Sequence, residues 1–289
     1  MAVYDRSYRR YEGPLTPSRT RFLILPRYAL AEVFRSRWFV SFFVLCFALP
    51  FVGLLLIYLH HNLSALNVLN LPLDRLKEAL PIDARFFATG FRLQGFLAFV
   101  LALVVGPSLI APDLRNNGLA LYLARPLSRA EYVLGKMTVL ALLLSAITWV
   151  PSLLLFLFQG YLEGAGWLAA HLRIGFALWV GSWLWIAVLS LLALAVSAWV
   201  KWKPVARIAM LMVFLVMNAF GRVAELSMGT WWGELLNLWQ LVKTIWAGLF
   251  GVAPDSELPL VAAWIAFSLG CLALLGLLSR RLRAYEVVR

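Results

Sequence analysis

The sequence predicts an all-α, polytopic membrane protein with six transmembrane helices, and three observations carry that expectation. The chain is 63% hydrophobic and only 14% charged, where soluble domains are about 45–50% apolar and about 25% charged. Its uncharged runs, 38–73, 93–112, 137–162, 174–200 and 258–279, suit a hydrocarbon core of roughly 30 Å crossed at about 1.5 Å per residue. Basic residues alternate along the chain. Segments 1–37, 112–136, 201–207 and 279–289 hold 19 of the 26 Lys and Arg against 6 acids, while 61–92, 160–173 and 222–257 hold 7 against 8 acids. Cytoplasmic loops carry the Lys/Arg excess in membrane proteins, so both termini are expected in the cytoplasm and the number of spans is even. The net charge of +12 is therefore an orientation signal and not a phosphate-binding patch; no nucleic-acid partner is expected.

Residues 1–37 form a cytoplasmic N-terminal segment. Within it PRYALAEVFRSRW (26–38) sets Leu30, Val33, Phe34 and Trp38 at helical spacing beside Arg27, Arg35 and Arg37. That pattern describes a basic amphipathic helix lying on membrane lipid. The arginines extend to Arg37 before the first apolar run, unlike a cleavable signal peptide. The six-span transmembrane domain occupies 38–278, with spans at about 38–60, 92–111, 137–159, 174–200, 204–226 and 258–278. The fifth is the least apolar. Pro204 suits its first turn, and Arg222, 15 residues beyond Arg207 or roughly 22 Å at the helical rise, reaches the opposite boundary. Pro50, Pro107 and Pro151 fall inside spans one, two and three, where neighbours must re-satisfy the backbone. Trp38, Trp199, Trp202, Trp231 and Trp232 suit interfacial anchoring. In the outer region 227–257, residues 234–250 place Glu234, Asn237, Gln240 and Lys243 on one side and Leu235, Leu238, Trp239, Val242, Trp246 and Leu249 on the other. An outer amphipathic or re-entrant helix is expected there, because a seventh span would put the basic tail, 279–289, outside. Cys46 and Cys271 sit in apolar runs as small buried hydrophobes.

The connection between spans two and three, 113–136, reads DLRNNGLALYLARPLSRAEYVLGK. Pro112 is expected to end span two and Asp113 to cap a short helix over about 114–124. That helix carries Leu119, Leu121, Tyr122 and Leu123, more apolar surface than a solvated loop needs. Arg125 precedes Pro126 and is pushed towards an extended conformation. Ser128 and Glu131 then read as a capping box that starts the helix of span three. The product is an elbow: helix, break, helix. Its apolar and arginine surface suits a protein contact; packing on the ends of its own bundle, with arginines on lipid phosphates, is the alternative.

This stretch resembles the corresponding loop of ABC transporter permeases of the ABC-2 type. That loop has an acidic residue, a small-residue and leucine segment, a Pro-(Leu/Ile)-Ser-Arg element, and a Gly-Lys entering span three. Asp113, Leu121, Arg125, Pro126, Leu127, Ser128, Arg129, Tyr132, Gly135 and Lys136 match it, while Asn117-Gly118 replaces the usual Gly-Thr and marks a divergent branch. The interface helix, the six spans and the amphipathic segment before span six extend the resemblance over nearly the whole chain. It implies that the elbow contains a coupling helix docking into a separate cytoplasmic ABC ATPase subunit, through Asp113, Arg115, Leu119, Leu121, Tyr122, Arg125, Pro126, Ser128 and Arg129. It also implies two permease subunits, identical or different, with two ATPases in a bacterial-type cytoplasmic (inner) membrane, and by analogy export as the direction.

The chain offers no ATP site of its own. Gly135-Lys136 is followed by Met137, and Ala130 stands where a P-loop needs its first glycine. No cofactor is expected in this chain; ATP and Mg belong to the partner. His60, His61 and His171 lie near the outer face, and adjacent histidines do not share a helix face, so no metal site is expected. Neither GxSxG nor HExxH is present, which argues against a membrane-embedded enzyme. Asn218, Arg222 and Glu225 are candidates for a substrate path, with a structural Arg222–Glu225 pair as the alternative. An ATPase-independent secondary transporter or channel would place charges deep in several spans. ATP-driven mechanical transmission to an envelope partner, without solute transport, fits the sequence as well as export.

Overall fold

The computed structural model describes residues 23–62, 81–116, 118, 128–228 and 231–283, and its regular structure is helical. Six helices are long and apolar enough to cross a membrane: Arg37–His61, Ala84–Arg115, Arg129–Glu163, Leu172–Trp199, Lys203–Ala224 and Leu260–Arg281. These are spans one to six, and the protein is an all-α multi-pass membrane protein. The face of the bundle that carries the connection between spans two and three is called here the elbow face, and the opposite one the far face.

Spans one to three are each broken. Span one divides into Arg37–Leu45 and Ala48–His61, span two into Ala84–Val105 and Pro107–Arg115, and span three into Arg129–Ile147 and Trp149–Glu163. The three prolines account for this. Pro50, Pro107 and Pro151 each fall in the first turn of the segment after the break, where the missing N–H takes one bond out of the ladder. A neighbour also enters the ladder of span two: the Ala111 N–H donates to Ser197 Oγ at 2.9 Å, and the Ser197 hydroxyl donates to Pro107 O at 3.2 Å. Side-chain insertion of this kind is a recognised cause of helix bending.

Span four is the central post, with 72% of its most apolar window buried, against 11% for spans one and six. Two glycine notches, Gly181 on span four and Gly95 on span two, bring the far-face helix Leu238–Phe250 against these two spans. Trp246 lies between Gly95 and Gly181 and donates its indole N–H to Gly181 O at 3.1 Å; Trp185 donates to Gly95 O at 2.8 Å. Residues Leu241, Val242, Ile245, Trp246 and Phe250 are buried, so this helix tucks into the bundle between span four, span two and span six. It ends at Gly251, whose φ of 72° is the left-handed cap that glycine adopts without strain. Arg173 donates to the last carbonyls, Leu249 O at 2.9 Å and Gly248 O at 2.7 Å.

Several expectations need correction. The interface helix runs Ile24–Phe34 and stops before Ser36, whose hydroxyl accepts from Phe39 N at 3.4 Å and starts span one. Pro112 does not end span two; the helix carries it and continues to Arg115. The helix expected over 234–250 covers only Leu238–Phe250, and the residues before it form a 3₁₀ turn. Glu234 and Asn237 are each 8% exposed, because the 3₁₀ turn Trp231–Leu236 packs on span five, where a Cβ on Gly221 would stand 2.7 Å from Gly233 O. Asn237 caps the following helix by accepting from Gln240 N at 3.2 Å. The helix expected over 114–124 falls mostly on residues 117 and 119–127, outside the described residues.

Candidate functional site

The two arms of the elbow are both described. The first is Pro107–Arg115, at the end of span two, and the second is the start of span three at Arg129. Ser128 has extended backbone (φ −73°, ψ 158°), its Oγ accepts from Glu131 N at 3.2 Å, and Glu131 Oε2 accepts from Ser128 N at 2.7 Å. The capping box expected from Ser128 and Glu131 is therefore formed, and it fixes where span three begins.

Asp113 does something other than cap a helix. It lies inside the first arm, and one carboxylate oxygen, Oδ2, accepts from the Tyr132 hydroxyl at 2.7 Å and from Lys136 Nζ at 2.8 Å. Tyr132 and Lys136 stand one turn apart on span three and so share a face. The ammonium also lies 5.5 Å from the centre of the Tyr132 ring, within cation–π range. Tyr132 is 1% exposed and Lys136 7%. A lysine this buried requires a counter-charge, and Asp113 supplies it across the elbow. The arms are thus clasped at their base by a charge-assisted pair and a phenol, whatever lies between them.

Arg115 leaves the first arm exposed, its guanidinium carbon 5.1 Å from the centre of the Trp202 ring between spans four and five. Arg129 opens the second arm half-buried. Leu119, Leu121, Tyr122, Arg125 and Pro126 lie outside the described residues. A cavity of about 420 Å³ opens beside the clasp, lined by Tyr28, Glu32, Asp113, Lys136 and Arg207, between the interface helix and spans two, three and five. The interface helix packs against the first segment of span three. Interface helix and clasp therefore bear on the same segment.

Asn218 accepts a hydrogen bond from Asn237 Nδ2 at 3.2 Å, which joins span five to the cap of the far-face helix. Arg222 is exposed one turn further on, and the Glu225 side chain lies outside the described residues, as does their possible pair. On the far face Arg92 pairs with Asp255 at 2.7 Å. Burial pushes the nearby Lys243 ammonium below the usual lysine range, opposed by the Asp255 carboxylate. Among the described residues no three His, Cys, Asp or Glu side chains lie close enough to hold a metal ion. A second, mainly apolar cavity of about 450 Å³ lies towards the far face between spans one, two and three, lined by Val52, Leu56, Phe86, Phe87 and Leu155 among others.

The sequence pattern contained Asp113, Tyr132 and Lys136 as separate matches but not their union. The i, i+4 spacing of Tyr132 and Lys136 was the available signal. A search of curated proteins returns no match. A family model described as ABC-2 family transporter protein matches residues 29–238, which run from the interface helix through the elbow and five spans to the far-face turn. This chain belongs to the ABC-2 family of transporter proteins, as a membrane-spanning permease component of an ABC transporter.

Proposed function

We propose that this chain couples ATP hydrolysis by a separate cytoplasmic ATPase subunit to transport, in the direction of export, across a bacterial-type cytoplasmic membrane. The elbow face is then cytoplasmic, both termini lie on that side, and the working unit is two permease subunits with two ATPases. The observation that carries this reading is the Asp113–Tyr132–Lys136 clasp. A connector transmits force only if its arms cannot splay, and here the arms are joined at their base by a buried ion pair. The segment between them, with Leu119, Leu121, Tyr122, Arg125 and Pro126, presents the docking surface, while Arg115, Ser128 and Arg129 flank it. A displacement of that surface by the closing ATPase dimer passes through Lys136 into span three and the interface helix together. Such a displacement can bias a membrane domain with two packed arrangements.

The test is purification from the native membrane in mild detergent. The chain is expected to retain a nucleotide-binding subunit and ATPase activity, and Arg125→Glu is expected to lose both while inserting normally. Purification of a partner-free chain under conditions that keep other ABC complexes intact would overturn the reading, as would an Arg125→Glu chain that retains full coupled activity.

A further inference from the structure

Pro50 and Pro151 carry no N–H, so the carbonyls four residues earlier, Cys46 O and Ile147 O, have no helical donor. Inside a bilayer no water is at hand to bond such a carbonyl, so a neighbouring side chain must. Both are met by one side chain of span two: Gln94 donates through Nε2 to Cys46 O at 3.0 Å and to Ile147 O. Only the NH2 end of an amide carries two donors, and the two acceptors are the two that the prolines leave behind. Gln94 is 2% exposed, so water does not compete.

The same two breaks divide each span into a segment towards the elbow face and a segment towards the far face. The far-side segments, Ala48–His61 and Trp149–Glu163, pack on each other. Gly53 brings them close enough that an added Cβ would stand 3.1 Å from Leu155 Cδ1. Near the far face His61 Nε2 meets Glu163 Oε1 at 3.2 Å while His61 Nδ1 meets Ile57 O at 3.0 Å. The pair is therefore tied at its base by Gln94, in its middle at Gly53 and at its top by His61 and Glu163. The elbow-side segment of span three is tied instead to Asp113 and to the interface helix.

We propose that Gln94 is a positioning residue that pins two proline hinges together, so that the far-side halves of spans one and three move as one body when the elbow moves. The part of this that concerns coupling rests on the transporter reading above; the pin itself does not. Proline makes each hinge by removing a ladder bond, and Gln94 gives both hinges a common fulcrum. Without it, a tilt of the elbow-side segment of span three would part the two far-side segments instead of carrying both.

The experiment is a thermodynamic cycle on the full-length chain in detergent. Gln94→Leu removes both donors at similar volume; Pro50→Ala and Pro151→Ala give each carbonyl its own helical N–H. Gln94→Leu is expected to lower the thermal unfolding midpoint by about 2–6 °C, from two intramembrane hydrogen bonds, and to lose most of that effect in the chain with both alanines. In chains with one alanine the effect is expected to fall by about half. An equal loss in all backgrounds, or no loss in the wild-type background, would overturn the pin. A second measurement separates pinning from bulk stability. Nitroxide labels at Tyr58→Cys and Tyr161→Cys, with Cys46 and Cys271 replaced by alanine, report the spacing of the far-side segments by pulsed electron resonance. A narrow distance distribution is expected with Gln94, a broad one with Gln94→Leu, and a narrow one again with both alanines; an unchanged width in Gln94→Leu would overturn the proposal. Neither measurement needs an ATPase, so a chain that passes both yet recruits no ATPase would remove the transporter reading and leave the pin.

Discussion

Lys136 is an apolar-helix residue by address and an ion by chemistry, and Asp113 reconciles the two. Removing one member of a buried pair costs about 3–5 kcal/mol, because the remaining charge stays desolvated, whereas replacing both by apolar groups is often near neutral. Asp113→Ala is accordingly expected to lower stability by an amount of that order. The double variant Asp113→Ala/Lys136→Met should recover most of the loss, read from detergent unfolding of the three chains. Recovery would show that the carboxylate exists to neutralise Lys136. If the double variant were no more stable than the single one, Asp113 would hold the elbow through Tyr132 alone. The two outcomes are distinguishable because Tyr132→Phe removes the phenol donor without touching charge, and it is expected to cost only about 1 kcal/mol, the value of one hydrogen bond. Stability and function should also separate here: a double variant restored in stability retains an elbow held by packing, but without the charged clasp it is expected to transmit less of any movement made at the connection.

At the scale of elements, breaks and caps decide how the spans run. Ser128→Ala removes the hydroxyl that accepts from Glu131 N and is expected to cost about 1 kcal/mol through fraying of the first turn of span three. Gly95 is a stricter constraint, since a Cβ there would stand 2.6 Å from the Trp246 ring. Gly95→Ala is expected to displace the far-face helix at a cost of about 1–3 kcal/mol, visible as a lower unfolding midpoint and a change in indole fluorescence; an unchanged midpoint and spectrum would mean that the notch closes without strain. The capping box could be read in advance because its partners are three residues apart, and the spans because apolar length is a property of one segment. Asp113 was misread as a cap because its partners, 19 and 23 residues on, meet it only once span three turns back against span two. Gln94 gave no local sign either, being one polar residue in an apolar run. The prolines showed that donors would be needed, yet which neighbour supplied them depended on the packing of three helices. Helical periodicity puts Glu234 and Asn237 on one side of a helix over 234–250, which assumes that the helix is continuous. The 3₁₀ turn that buries them breaks that period.

For the whole molecule, the alternation of basic segments and the six spans make one claim about orientation. Residues beside the clasp and residues of the segment before span six must lie on opposite sides, because spans three to five intervene between them. Ala130 and Glu257 are exposed at those two places and serve as reporters. In a chain with Cys46 and Cys271 replaced by alanine, Glu257→Cys is expected to react with a membrane-impermeant maleimide on intact cells, and Ala130→Cys only after the membrane is opened. The opposite pattern would put the elbow outside, beyond reach of any cytoplasmic ATPase, and would overturn the proposed coupling whatever the family. The same reporters test the tucked helix. If Leu238–Phe250 crossed the membrane as a further span, Ala130→Cys and Glu257→Cys would share a side and label together. Its buried face is set by the Gly95 and Gly181 notches, and its charged residue Lys243 lies near Asp255 and Arg92 of the far face. Those contacts hold the helix at one boundary, so opposite labelling of the two cysteines is the outcome that the packing requires.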